Sequence, residues 1–258
     1  MSVTMNPEIT AERAPERTMG LLQRTAAIFA KPADAWSGLR ERAQWWFPLL
    51  LVVAITSVTM LATYDRAIMP TIHDQFQKQL ESEQITQVQM DRMETMFSGP
   101  VGKLIVVGQQ IIFMPVALLI VALVVWFGGA FILGRSMGYR HALEVASWSS
   151  LVTIPSFLLQ SAIAYVQNVG IRNVHVGLGA LLPALGMDPE TPTKLSTALG
   201  ILLDALGPLQ LWYVGVLVLG VSAMTGAPRK STVWVVGGLY LAIMVLWAAV
   251  AWLFTPGS

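Results

Sequence analysis

The sequence LIVVGQQIIFMPVALLIVALVVWFGGAFILG, residues 104–134, decides the fold class, because no charged side chain occurs anywhere in it. A helix needs roughly 20 apolar residues to cross a hydrocarbon core about 30 Å thick. The apolar character is continuous here, whereas the strands of a membrane barrel alternate between apolar and polar residues. The stretch therefore predicts a membrane-spanning helix.

Four further stretches, 43–64, 145–171, 205–228 and 231–258, also lack charged residues. Each is long enough to cross a bilayer, so the chain is expected to cross five times. The predicted spans are 45–64, 109–134, 145–167, 209–227 and 232–254. The predicted fold class is all-α: a polytopic membrane protein with five transmembrane helices and amphipathic interfacial helices.

Composition agrees with a membrane protein and excludes several function classes. Hydrophobic residues make up 55% of the 258 residues and charged residues 12%, against about 25% charged in soluble domains. A formal net charge of +1 gives no electrostatic case for nucleic acid, and the lack of cysteine excludes thiolate chemistry. The first 42 residues have no early apolar segment, so we expect the first span to act as its own insertion signal.

The distribution of Lys and Arg predicts the orientation in the membrane. If the five spans alternate, the side that holds the N-terminus carries ten Lys and Arg residues and the other side carries six. Positive residues accumulate in cytoplasmic segments. This bias predicts a cytoplasmic N-terminus and a C-terminus on the outer side.

The residues before the first span predict a flexible tail over 1–16 and cytoplasmic amphipathic helices over 17–42. Pro32 is expected to open a second short helix. Apolar residues repeat at helical spacing, and the basic residues are expected on the opposite, wet face. Two interpretations stay open: a face that docks lipid or a partner, and a collar that seats the first span. The candidate interface residues are Arg17, Leu21, Leu22, Arg24, Ile28, Phe29 and Trp36.

Two outer loops, 65–103 and 172–207, are expected to contain helices as well. In the first loop, Ile72, Phe76 and Leu80 repeat every four residues, and Thr86 with Gln89 matches a capping box. Two amphipathic helices in a hairpin account for this pattern. Their apolar faces are interpreted as packing surfaces or as a partner site.

The third span is the most polar of the five, and its polar residues align along one side of a helix. Gln167 extends this stripe, and a glutamine pair stands near the outer entry of the second span. Such groups usually bond neighbouring helices, but a polar groove for a ligand is the alternative. The candidate groove residues are Ser149, Thr153, Ser156, Gln160, Gln109 and Gln110.

Reactive groups are scarce in this sequence. His73, His141 and His175 lie in separate segments, so neither a metal site nor a cofactor is predicted. Glu144 lies at the mouth of the third span beside Arg140, where pairing is easy, and we do not assign it as a proton carrier. The sequence predicts a protein that is not an enzyme.

Several short motifs, taken in order, resemble those of the Yip1-domain family. They are an apolar-x-x-Pro-x-x-x-Trp entry over 28–36, Glu83–Gln84–Ile85, Trp148 with Pro155, and a late block of Leu203–Asp204, Trp212, Gly220 and Gly226. The resemblance covers roughly residues 18–254. It implies five spans, a cytoplasmic N-terminus and a location in a bacterial cytoplasmic (inner) membrane.

The resemblance also bears on partners. Eukaryotic relatives use an N-terminal acidic-aromatic motif that this chain lacks, so their role in vesicle traffic is not transferred. Some bacterial relatives are accessory subunits of ABC-type exporters. The leading hypothesis is a scaffold or accessory subunit whose partners are membrane lipids, other membrane proteins or a second copy of itself. The alternative is a small transporter or lipid-handling protein that uses the third span.

Overall fold

The protein is all α-helical in the part that the structure, a computed structural model, describes: residues 19–187 and 193–255. The predicted fold class is confirmed. Arg17 and the predicted tail 1–16 lie outside the described residues. The helices are α1 (Leu21–Ala30), α2 (Trp46–Ala62), α3 (Met69–Glu81), α4 (Gln87–Ser98), α5 (Pro100–Phe127), α6 (Tyr139–Ser150), α7 (Thr153–Gln167), α8 (Lys194–Ala205), α9 (Pro208–Thr225) and α10 (Arg229–Phe254).

Among residues 19–187 and 193–255, four helical segments are long and apolar enough to span a membrane, and a bent pair of helices meets the same criterion when it is taken as one span. The four are Pro100–Ile132, Tyr139–Gln167, Pro208–Thr225 and Arg229–Phe254. In the bent pair, α2 continues into a helical segment that begins at Tyr64, with an angle of 78° between them. The 17 residues of α2 extend about 26 Å, close to the thickness of a hydrocarbon core.

The second span is longer than the predicted 109–134, because its helix begins at Pro100. Proline suits the first helical position, where its missing N–H would have no intrahelical partner. Gly102 allows the preceding turn to pass close by, since a Cβ there would lie 2.3 Å from the Phe97 carbonyl oxygen. Gln109 and Gln110 therefore lie within this helical segment, whose 33 residues extend about 50 Å, more than the thickness of a hydrocarbon core.

The third span consists of two helices, whereas the sequence predicts one. It begins at Tyr139 rather than residue 145, and α6 and α7 are separated at Leu151 and Val152. Pro155 has no N–H to donate to the Leu151 carbonyl four residues before it. That carbonyl accepts from Ile154 N at 3.1 Å instead, which tightens the turn.

The bundle core surrounds α6, whose residues 142–149 are all buried. Trp148 is fully buried and packs against Phe47 at a ring-centroid distance of 6.0 Å. Helices α2, α5 and α9 lie around it and contribute aliphatic side chains such as Val52 and Val221. Because residues 142–149 are enclosed, their side chains contact other parts of the protein on every side.

We call one end of the bundle the α1 end. It carries α1, residues 31–45 and the turns before α6 and α10. The sequence predicts two short helices here, but only α1 is an α-helix, and Asp34–Trp36 is a single 3₁₀ turn. Gly38 at φ +71° then reverses the chain, which prevents a longer helix.

We call the opposite end the α8 end. It holds α3, α4, residues 170–187 and α8. The predicted hairpin is present: α3 and α4 pack through Phe76 and Phe97, whose rings are 5.7 Å apart. Thr86 and Gln89 form the predicted capping box at the start of α4. Helix α8 lies along α10 and closes this end of the bundle.

Candidate functional site

Arg24 is buried at the α1 end, with only 2% of its surface exposed. Its guanidinium donates to the carbonyl oxygens of Ala35 and Ser37, the latter at 2.9 Å. It also lies 5.6 Å from the centroid of the Trp148 ring. The predicted position of Arg24 on a wet cationic face is wrong, because the chain turns back after α1 and presents two carbonyls to the inner side of the helix.

Glu144, on α6, is the nearby negative charge and is also fully buried. Its Oε1 accepts a hydrogen bond from the backbone N of Gln44 at 2.6 Å. Arg140, the expected partner of Glu144, instead donates a hydrogen bond to the Arg40 carbonyl. Burial lowers the pKa of Arg24, and the negative charge of Glu144 acts against that change.

The candidate interface residues of the N-terminal segment divide between two sides of α1. Among the candidates within residues 19–187, Ile28 and Leu21 pack into the core, and Leu22 and Phe29 are exposed, at 77% and 41%. Trp36 is 4% exposed, so its prediction as an interface residue is wrong. It fits against Gly220, where a Cβ would come within 2.8 Å of the indole.

The polar stripe of the third span is divided by the break between α6 and α7. Ser149 is buried on α6, and Thr153 Oγ1 donates to the Ser150 carbonyl at 2.7 Å. Further along α7, Gln160 Nε2 donates to the carbonyls of Ile171 and Val174 at 3.0 and 2.9 Å. Ser156 lies on the same helix, one turn before Gln160. These bonds hold the helix break and the following turn in place.

The two glutamines of α5 have different environments. Gln110 Nε2 donates to Thr56 Oγ1 on α2 at 3.2 Å, and Gln109 is exposed. The hydrogen bonds of Gln110 and Gln160 therefore lead to different neighbours, α2 in one case and the 171–174 turn in the other. The predicted groove residues are not joined into one hydrogen-bonded site by these contacts.

A polar cluster that sequence reasoning did not predict lies at the α8 end. His175 Nδ1 is 2.5 Å from Asp204 Oδ2, and Asp204 Oδ1 accepts from the backbone N–H groups of Gly177 and Gly179, each at 3.2 Å. The hydrogen bond to Asp204 raises the pKa of His175, and partial burial acts in the opposite direction. The cluster fixes residues 175–179 against α8.

Glycine makes this cluster sterically feasible. A Cβ on Gly179 would lie 2.5 Å from Asp204 Oδ1, and one on Gly177 would lie 2.8 Å from Asp204 Cα. The signal in the sequence is a lone carboxylate in the apolar run of α8, together with glycines that follow a histidine at alternate positions. Across residues 19–187 and 193–255, no three His, Asp or Glu side chains come together as metal ligands.

These features define an all-α membrane protein with several spans and with polar contacts at both ends, buried at the α1 end and partly buried at the α8 end. A family model described as "Yip1 domain" matches residues 26–251, and the chain belongs to that family. It is similar to "Membrane protein YknW" of Bacillus subtilis (strain 168), with 22% identity over 226 residues and 86% of each chain covered. No solved structure matches.

Proposed function

We propose that the chain is a non-enzymatic membrane scaffold or accessory subunit that binds other membrane proteins through the outer side of α1. The proposed location is a bacterial inner membrane, with the N-terminus in the cytoplasm. An ABC-type exporter is the partner that the resemblance to bacterial Yip1-domain proteins suggests. The proposal concerns binding, because three polar side chains of the predicted groove, Gln110, Thr153 and Gln160, already bond to the protein itself.

One observation carries the proposal: α1 presents exposed apolar side chains while its inner side is fixed to the bundle. Leu22 and Phe29 are seven residues apart, so they lie on one side of the helix. The bonds from Arg24 to Ala35 and Ser37 hold that helix in position. A rigid apolar surface binds a partner at a lower entropic cost than a mobile one.

Affinity purification in a mild detergent tests this function. We expect the wild-type chain to co-purify with integral membrane proteins at a fixed ratio, among them a permease and an ATPase. The L22Q/F29Q variant should lose them, because glutamine removes apolar contact area from the proposed surface. The matched control is Gln23→Ala, an exposed polar position on the same helix, which should leave the ratio unchanged.

Two outcomes would contradict a scaffold that binds through α1. One is a wild-type chain that is extracted as a lone monomer under several mild conditions. The other is equal recovery of the same membrane proteins with wild type and with L22Q/F29Q. In either case the exposed residues of α1 would not be a binding surface for a partner protein.

A second experiment separates the scaffold from the transporter alternative. Gln160→Leu removes the bonds to the Ile171 and Val174 carbonyls, so we expect a free energy of unfolding lower by about 1–3 kcal/mol. Partner recovery should persist at a temperature where the variant is folded. Gln167→Leu, at an exposed position of the same helix, is the control and should leave stability unchanged. Loss of a transport phenotype in a fully stable Gln160→Leu variant would favour the alternative.

A further inference from the structure

A large cavity at the α8 end has no role in the scaffold proposed above. Its volume is about 1030 Å³, and it is partly open to the surroundings. Helices α3, α7, α8 and the end of α10 contribute to its wall, together with residues 172–187. A volume of this order accommodates a ligand larger than a water cluster or a simple ion.

The wall of the cavity is mixed where the membrane spans contribute to it, with Gln160 and Gln167 of α7 beside apolar side chains. Ile163 lies on α7 and Phe254 at the end of α10, and both helices cross the membrane. Leu182 extends this apolar surface from the segment between the spans. A ligand that fills the cavity therefore contacts the ends of two spans and an extramembrane segment at once, which suits an amphiphile.

Two of the charged side chains that line the cavity can bind an anionic group. Lys78 and Arg172 line the cavity with positive charge, and Glu81 is one negative charge there. Asp204 also lines it, but its carboxylate already accepts bonds from His175 and from two backbone N–H groups. With His175 neutral, the two cations and the carboxylates of Glu81 and Asp204 give the wall a formal charge of zero. Because Asp204 is already bonded within the protein, Lys78 and Arg172 outnumber the remaining carboxylate, Glu81, as partners for a ligand.

We propose that this cavity binds an anionic glycerophospholipid, with the phosphate near Lys78 and Arg172 and the acyl chains along Ile163 and Phe254. Arginine and lysine are the usual partners of phosphate in proteins. Each cation near an anionic head group strengthens binding roughly fivefold. The site is independent of α1, which lies at the other end of the bundle.

Native mass spectrometry of the full chain in detergent tests the site. The probes are phosphatidylglycerol and phosphatidylcholine with identical acyl chains, and sn-glycerol 3-phosphate as a soluble competitor. We expect phosphatidylglycerol to bind the wild-type chain at least about fivefold more tightly than phosphatidylcholine. The soluble competitor should not displace it at equal concentration, because it lacks the acyl chains.

Two variants locate the binding. K78Q/R172Q should lose the preference for phosphatidylglycerol, and Arg92→Gln, an exposed cation on α4 outside the cavity, should retain it. Ala180→Trp fills the cavity from an exposed wall position and should weaken both lipids. Equal wild-type affinity for the two lipids, a preference that survives K78Q/R172Q, or displacement by the soluble phosphate would overturn the proposal.

Discussion

Arg24 is buried because the protein supplies acceptors and an aromatic surface for its guanidinium. The carbonyls of Ala35 and Ser37 accept its N–H groups, and the ring of Trp148 lies on one side. A buried cation without such partners would cost several kcal/mol in desolvation. The side chain thus joins three parts of the α1 end: the helix, the 3₁₀ turn and α6.

Replacing Arg24 tests this role. Arg24→Met removes charge-assisted bonds to two buried carbonyls, and we expect the free energy of unfolding to fall by about 2–3 kcal/mol. Chemical denaturation in detergent micelles measures the change. Lys31→Ala, which removes an exposed cation just after the same helix, should change stability by less than about 0.5 kcal/mol. Equal effects of the two variants would show that Arg24 contributes no more than an exposed charge.

His175 predicts how stability depends on pH. Its bond to Asp204 raises the folded-state pKa above the ordinary value of about 6.5. A raised pKa means that the stabilisation is complete below about pH 6.5 and is lost as pH rises through the folded-state pKa. We expect the melting temperature of wild type to fall over that range relative to His175→Gln and Asp204→Asn. The same dependence of melting temperature on pH in all three proteins would contradict the prediction.

At the scale of elements, the close approach of α9 to α6 depends on Gly220. A Cβ at this position would lie 2.8 Å from both Trp36 and Val145. Small residues let membrane helices approach closely, which improves van der Waals packing. Gly220 therefore determines how closely α9, α6 and the 3₁₀ turn pack.

Substituting each of two glycines on α9 distinguishes the effect of packing on stability from the effect of helix propensity. We expect Gly220→Ala to lower the free energy of unfolding by about 1–3 kcal/mol, because its methyl group overlaps two buried side chains. Gly215→Ala, where no atom lies within 4 Å of a new Cβ, should be neutral or gain up to about 1 kcal/mol. Thermal unfolding followed by tryptophan fluorescence compares the variants. The prediction fails if Gly220→Ala is as stable as Gly215→Ala.

At the scale of the whole molecule, the distribution of Lys and Arg predicts the orientation of the chain in the membrane. The chain has no cysteine, so single cysteines can report on each side. The exposed positions Ser136, before α6, and Ser82, after α3, lie at opposite ends of the bundle. The excess of ten over six Lys and Arg predicts that a membrane-impermeant maleimide labels Ser82→Cys in intact cells and Ser136→Cys only after lysis. The reverse pattern would contradict the predicted orientation.

The candidate sites were less predictable than the fold, for a reason that particular residues show. Periodicity assigns Arg24 to a polar face and Trp36 to an interface, because a helical repeat identifies which residues share a side but not what that side contacts. The His175–Asp204 pair joins residues 29 positions apart in segments with no common pattern. The Thr86–Gln89 capping box was predictable, since its bonds form within one turn.

Properties that depend on local interactions follow from the sequence, and properties that depend on contacts between distant segments follow from the tertiary structure. The sequence by itself determined the all-α class, the approximate positions of the spans and the hairpin at α3 and α4, because lipid requires long uncharged helices and because caps act locally. Only the tertiary structure decided which polar groups are buried. The hydrogen-bond partners of Arg24 and Gln160 are backbone carbonyls, and those of Asp204 are His175 and two backbone N–H groups. Folding brings these partners within reach, and composition and spacing do not encode that approach.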